Sequence, residues 1–114
     1  MVSIKMVREM ALALPGAEEK DHFGMPSFRL KNGIFATIHE KDNRAMVKLS
    51  LVDQSVFCQA APSVIYPVPG GWGAGGATFV ELGRVSKPLF KDALKHAWEN
   101  LVQKSVIKKA RGKR

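Results

Sequence analysis

The chain has 114 residues, a length that corresponds to one ordinary domain with a single hydrophobic core. It holds no run of about 18 apolar residues and only one cysteine, which excludes a membrane-spanning helix, an internal disulfide and a multi-thiolate zinc site. The net charge is +8, but six of the 18 lysine and arginine residues fall after residue 103, where there is no acid. The first 103 residues contain the other 12 bases and all 10 acids, so most of the net positive charge belongs to the C-terminus.

The first predicted element is a helix over residues 2–14, in which apolar side chains recur at three- and four-residue spacing. Pro15 and Gly16 end this helix. Charged residues interrupt the apolar ones, so the segment lacks the continuous hydrophobic stretch of a signal peptide. We therefore expect a cytoplasmic protein.

The middle of the chain predicts a group of antiparallel strands. Residues 17–25 are polar and give no clear prediction. Alternating apolar and polar residues then predict three strands, near 26–31, 34–40 and 44–50. Asn32-Gly33, between the first two, is typical of a type I′ hairpin turn because both residues accept positive φ. A second turn is expected at residues 41–43.

The second half predicts a helix, two strands and a long helix. The short helix spans 54–61 and is capped by Asp53. Residues 64–67 predict a strand at a sheet edge, and ATFVEL predicts another strand. The last helix begins at its cap, Ser86, and carries an apolar stripe of helical period.

The predicted order is α-β-β-β-α-β-β-α, which indicates a two-layer α+β domain with an antiparallel sheet covered by helices. This single domain is expected to span residues 1–103. Residues 104–114 are expected to form a basic, disordered tail.

The stretch PGGWGAGG, residues 69–76, holds five glycines in eight positions and matches the spacing G-x-G-x-x-G. A dinucleotide-binding loop with that spacing must follow a strand and open a helix, whereas these glycines lead into a predicted strand. A glycine-rich loop of the protein-kinase type is excluded because the H-R-D and D-F-G motifs are missing. We interpret the stretch as a connection between strands. Trp72 within it either packs back on the loop or is exposed for a partner or small ligand.

No residues suggest catalysis or metal binding. His22, His39 and His96 are far apart and match no metal-binding motif, and the serines lack the context of a nucleophile elbow. We expect no catalytic residues, no metal, no cofactor and a protein that is not an enzyme.

Alternation along the three central strands assigns their residues to two faces of the sheet. The predicted core face holds Phe28, Leu30, Ile34, Ala36, Ile38, Ala45, Val47 and Leu49. The opposite face holds four cations, Arg29, Lys31, Arg44 and Lys48, together with Phe35, Thr37, His39 and Met46. Cations interleaved with an aromatic residue are typical of a nucleic-acid groove, although an ordinary solvated face has the same composition.

Several segments, taken together, resemble the MmcQ/YjbR-like family. They are ALALPGAEEKDHFGMPSFRLKNGIFATIHE, AMVKLSLVDQSVF, GGWGAGGATFVELG and the final helix, and the similarity covers residues 4–102. The resemblance implies a compact α+β domain. Members are commonly labelled DNA-binding because the fold resembles a double-wing module, and the resemblance places no catalytic motif on this chain.

Two functional hypotheses follow. The first is a small non-enzymatic domain that binds DNA through electrostatic backbone contacts without strong sequence readout. Its expected contacts are Arg29, Lys31, Arg44, Lys48, Lys104, Lys108, Lys109, Arg111, Lys113 and Arg114. The alternative is a protein-interaction or small-ligand module that uses Trp72 and its glycine-rich loop. No membrane partner is expected, and the oligomeric state is left open.

Overall fold

The computed structural model describes the backbone of residues 1–112 and the side chains of residues 1–105. The strands are β1 (Glu18–His22), β2 (Met25–Leu30), β3 (Gly33–His39), β4 (Arg44–Lys48), β5 (Ile65–Pro67) and β6 (Ala77–Glu81). The helices are α1 (Ile4–Leu12), α2 (Leu51–Ala60), α3 (Gly71–Ala74) and α4 (Lys87–Gly112), with a 3-10 turn at Glu40–Asp42. All strand pairs are antiparallel, in the order β1-β2-β3-β4-β6-β5.

The structure confirms the α+β class and the order of the predicted elements. It also contains two elements that were not predicted. Strand β1 forms within the polar segment 17–25, where there is no alternation to indicate it, and it pairs with β2. Helix α3 is a single turn inside the glycine-rich stretch.

The hydrophobic core lies between one face of the sheet and the helices. Its fully buried members from the predicted core face are Phe28, Ala36, Ile38, Ala45, Val47 and Leu49. The helices cover them with Val7 and Ala11 from α1, Phe57 from α2, and Phe90, Ala93, Leu94 and Ala97 from α4. Each large apolar side chain buried in this way stabilises the fold by about 1.5–3 kcal/mol.

A bulge in β3 moves Ile34 off the predicted core face. Phe28 lies opposite Ala36, but the next residue of β2, Arg29, lies opposite Ile34, so Phe35 is the extra residue. Residues paired directly across antiparallel strands share a face, which places Ile34 beside Arg29. Ile34 is half-buried and lies outside the core cluster. The prediction for Ile34 was wrong because one extra residue reverses the alternation.

The first hairpin turn lies one residue earlier than predicted. Leu30 pairs with Gly33, so the turn residues are Lys31 and Asn32. Neither has a positive φ, so the turn is not of type I′. The Asn32 side chain instead donates a 3.0 Å hydrogen bond to the backbone carbonyl of Leu101 in α4.

Of two predicted helix caps, the structure confirms the one at α4 and corrects the one at α2. Ser50, rather than Asp53, caps α2, since its hydroxyl accepts a 3.1 Å hydrogen bond from the backbone N–H of Asp53. Ser86 caps α4 as predicted, and its hydroxyl accepts from the N–H of Leu89 at 3.3 Å. Both hydroxyls satisfy backbone donors that a helix start leaves without partners.

Helix α4 is longer than the apolar pattern indicated. Its backbone is helical as far as Gly112, so helix covers most of the segment that we expected to be a disordered tail. Lys113 and Arg114 lie outside the described residues. The division into a domain of residues 1–103 and a tail of residues 104–114 stays a prediction.

Candidate nucleic-acid interface

Arg44, one of the four predicted contact cations of the sheet, is engaged within the protein. Its guanidinium carbon lies 3.8 Å from the centroid of the Phe79 ring, a cation–π contact. Nη2 lies 3.6 Å from Oδ2 of Asp42, and Nη1 donates to the hydroxyl of Tyr66 at 3.3 Å. That hydroxyl in turn donates to Glu81. The network joins β4, β5 and β6, so the Arg44 charge is already matched by protein groups.

Arg29 takes part in a similar network near the other edge of the sheet. Its Nη2 donates to the Ser27 hydroxyl at 3.1 Å, and that hydroxyl donates to the backbone carbonyl of Lys20 at 2.7 Å. Arg29 also lies opposite Glu18 in the register of β1 and β2. The half-buried Arg29 therefore helps to hold β1 against β2.

The sheet face that carries these arginines is not an open groove. Phe79, against which Arg44 packs, is 7 % exposed. Phe35, which was expected on a solvated face, is 1 % exposed and belongs to the hydrophobic core cluster, so that prediction was wrong. The Thr37 hydroxyl lies 3.0 Å from Nε2 of His39, whose ring meets that of Phe79 edge-on. Burial, reinforced by the Arg44 guanidinium, lowers the pKa of His39. The half-buried Arg44 side chain covers the Phe79 ring here and leaves little of that ring open to a ligand.

Lys48 and Trp72 lie together at the end of the sheet where β4 finishes. They line a cavity of about 410 Å³ with Gly71 and Gly75. Trp72 is 75 % exposed, so the indole does not pack back on its own loop. The exposed placement is the second of the two alternatives that the sequence left open.

Two further lysines lie near the contacts that α4 makes with the β2–β3 turn and the end of β4. Asn32 donates to the carbonyl of Leu101, and the Asn100 side chain donates to the carbonyl of Lys48 at 3.5 Å. Lys31 precedes Asn32 in the hairpin turn, and Lys104 lies about one helical turn beyond Leu101. Both lysines are exposed. We call the group formed by Lys31, Lys48, Trp72 and Lys104 the basic end.

The predicted contact residues are thus divided by the structure. Lys48 lines a cavity with Trp72, and Lys31 and Lys104 lie close in sequence to the residues through which α4 contacts the β2–β3 turn. Arg44 lies four residues before Lys48 along β4, at a distance of about 13 Å. Five predicted contacts lie outside the described side chains: Lys108, Lys109, Arg111, Lys113 and Arg114. Sequence reasoning missed the pairing of Lys48 with Trp72, because nothing in either local pattern indicates it.

Two further findings concern only the described residues. Among them, no group of three or more histidine, cysteine, aspartate or glutamate side chains is placed to hold a metal ion. Within the same part of the chain, no helix combines the length and the apolar character needed to cross a membrane.

The fold defines a small α+β domain, in which helices cover one face of a six-stranded antiparallel sheet. More particularly, the chain belongs to the YjbR family, whose model matches residues 12–100. This match confirms the family resemblance of the sequence.

A solved structure shows the same fold. The crystal structure of Deinococcus radiodurans protein DR2400, described as a DUF419 domain, superposes with a TM-score of 0.72 at 20 % sequence identity. The similarity covers 86 % of this chain and 77 % of that one. No curated protein matches this chain. These comparisons establish the family and the fold, and they name no ligand or activity.

Proposed function

We propose that this protein is a non-enzymatic DNA-binding domain that contacts phosphates through the basic end. One observation carries the proposal: α4 bonds to the β2–β3 turn and to the end of β4, so three lysines from different elements lie at the end of the sheet where Lys48 and an exposed indole line one cavity. Lysine ammonium groups neutralise phosphates as point charges and read no sequence. Binding is therefore electrostatic and independent of DNA sequence.

The C-terminal segment extends the same positive charge. Beyond Lys104 the sequence adds Lys108, Lys109, Arg111, Lys113 and Arg114 without any acid. Such a segment attracts polyanions and raises the local concentration of DNA near the basic end. Arg29 and Arg44 are left out of the proposed contact set, because their guanidinium groups are engaged within the protein.

The proposal is tested by the salt dependence of binding to a duplex. We compare wild type with the triple variant Lys31→Gln, Lys48→Gln, Lys104→Gln. Because each phosphate contact contributes about 0.9 to the slope of log K against log salt, the variant slope should be shallower by nearly three.

The matched control removes the same charge elsewhere, as Lys41→Gln, Lys87→Gln, Lys91→Gln. Lys87 and Lys91 precede the Leu101 contact by about 21 Å and about 15 Å of helix. Lys41 lies in the turn between β3 and β4, at the opposite end of β4 from Lys48. The control should keep the wild-type slope. Undetectable duplex binding at low ionic strength, or equal slopes for the two triple variants, would overturn the proposal.

A second candidate function is a protein-interaction module that uses Trp72. It is supported by three exposed apolar residues of α2, Leu51, Val52 and Val56, in addition to the exposed indole. Large exposed apolar side chains of this kind mark contact surfaces. On this alternative, Trp72→Ala abolishes recovery of a protein partner by affinity purification and leaves the slope of duplex binding against salt unchanged.

A further inference from the structure

We infer that the cavity beside Trp72 binds an unpaired nucleobase, and that the basic end therefore prefers single-stranded DNA to duplex. The base stacks on the indole while Lys48 neutralises the adjoining phosphate. This inference rests on the proposed function and names the substrate class of the same site.

The glycines around Trp72 are of two kinds, and the first kind is required by the fold. A Cβ on Gly73 would lie 1.8 Å from the carbonyl oxygen of Val68. Gly76 has a φ of +109°, and a Cβ there would lie 2.1 Å from the carbonyl oxygen of Leu49. No side chain fits at these distances, so backbone packing accounts for both glycines.

Packing does not account for Gly71 and Gly75. Neither has a positive φ. A Cβ on Gly71 would meet nothing within 4 Å, and one on Gly75 would make an ordinary 3.5 Å contact with the carbonyl oxygen of Trp72. The fold would accept alanine at either position, and at Gly71, within α3, alanine is the better helix former.

These two dispensable glycines are the ones that line the cavity with Trp72 and Lys48. Their lack of side chains leaves the space next to the indole free. A site that stacks a flat ring needs such space, because a neighbouring side chain would occupy the position of the ring. The exposed indole, with no side chain at Gly71 or Gly75 beside it, is the feature that points to a ligand.

The backbone turn that carries the indole is also held in place, as the support of a stacking surface must be. The buried side chain of Gln54 donates to the carbonyl of Gly73 at 2.9 Å. This hydrogen bond connects α3, the helical turn that contains Trp72, to α2. An exposed aromatic ring on a rigid support stacks on any base, and a nearby lysine neutralises the backbone charge. In a duplex the base faces are already stacked on one another, whereas a single strand presents them.

The same chemistry, a base with a phosphate, is supplied by a strand or by a free nucleotide. The probes are therefore a labelled oligothymidine of about 12 nucleotides, a duplex of equal length and thymidine monophosphate. Trp98 donates its indole N–H to the carbonyl of Pro15, and Trp98→Phe leaves Trp72 as the sole tryptophan for quenching measurements.

We expect the oligothymidine to bind more tightly than the duplex and to quench Trp72. Trp72→Ala should weaken oligothymidine binding roughly tenfold, since one stacked base is lost, and leave duplex binding unchanged. Trp72→Phe should keep most of the affinity. Gly71→Leu should weaken oligothymidine binding without lowering the thermal stability, because its side chain enters the cavity and not the core.

Equal losses for strand and duplex in Trp72→Ala, or no loss in either, would overturn the inference. Quenching by thymidine monophosphate without any preference for the strand would instead assign the cavity to free nucleotides. In both cases a steep salt dependence of duplex binding would leave the proposed function standing, so the two failures are distinguishable.

Discussion

The side-chain amide of Gln54 donates a 2.9 Å hydrogen bond to the backbone carbonyl of Gly73, and this contact holds α3 against α2. The same amide nitrogen lies 3.2 Å from the carbonyl oxygen of Ala77 and 3.1 Å from the Thr78 hydroxyl oxygen. A single buried side chain therefore connects α2, α3 and β6. The position of Trp72 follows from these contacts, because the turn that carries it is too short to be stable alone.

Replacing this amide should loosen the turn. Gln54→Leu removes the buried donor and should lower the free energy of unfolding by about 1–3 kcal/mol in urea denaturation. The control is Gln59→Leu on the same helix, where the exposed amide donates to the Ser55 hydroxyl. The control should change stability by less than about 0.5 kcal/mol. Equal effects of the two substitutions would show that the Gln54 contacts do not hold the turn.

Two alanine substitutions distinguish the two kinds of glycine. Gly73→Ala forces a Cβ against the Val68 carbonyl and should destabilise the protein by more than about 2 kcal/mol. Gly71→Ala enters free space in a helical turn and should be neutral or stabilising by up to about 1 kcal/mol. Urea midpoints of the two variants provide the test, and a large loss of stability in Gly71→Ala would contradict it.

Substitutions of Arg44 and Lys48 should affect different properties, the first the free energy of unfolding and the second the binding of DNA. Arg44→Gln breaks the contacts with Tyr66, Asp42 and Phe79 and should lower the free energy of unfolding by about 1–2 kcal/mol. Lys48→Gln removes the same charge from the basic end and should leave stability within about 0.5 kcal/mol.

Duplex binding should show the reverse pattern for this pair. Lys48→Gln should make the salt slope shallower by about one, whereas Arg44→Gln should leave it near the wild-type value. A loss of slope in Arg44→Gln as large as that in Lys48→Gln would mean that the arginine reaches DNA.

His39 should make the protein less stable in mild acid. Burial and then the Arg44 guanidinium lower the pKa of His39, partly opposed by Asp42. The unfolded state therefore takes up the proton first, so the contribution is full above the unfolded pKa of about 6.5 and is lost as pH falls through the folded pKa. His39→Gln should show a smaller drop of the urea midpoint between pH 7 and pH 5 than wild type.

His96 should make the protein less stable as pH rises, the opposite of the effect of His39. A hydrogen bond from its ring to the backbone carbonyl of Asp92, 2.8 Å away, raises the pKa of His96. Its contribution is full below about pH 6.5 and is lost as pH rises through the folded pKa. His96→Gln should therefore lose less stability than wild type between pH 6 and pH 8. The same pH dependence in wild type, His39→Gln and His96→Gln would contradict both assignments.

The elements that the sequence predicted correctly depend on neighbours in the chain. Spacing of apolar residues indicates α1 and α4, alternation indicates β2, β3 and β4, and the position of Ser86 indicates a helix cap. These signals are local, because a helix or strand exposes its side chains with a period of a few residues. The α+β class follows from the order of such elements and was available from the sequence by itself.

What the sequence left undecided depends on residues that are far apart in it. The bulge at Phe35 arises only in pairing with β2, and the engagement of Arg44 requires Phe79 and Tyr66 from other strands. The basic end draws on segments that are far apart in sequence, since Asn32 bonds to Leu101, 69 positions away, and Lys48 lines a cavity with Trp72. Charge and exposure of a residue can be estimated from its own segment, but only the tertiary structure decides which charges are matched internally and which stand beside Trp72.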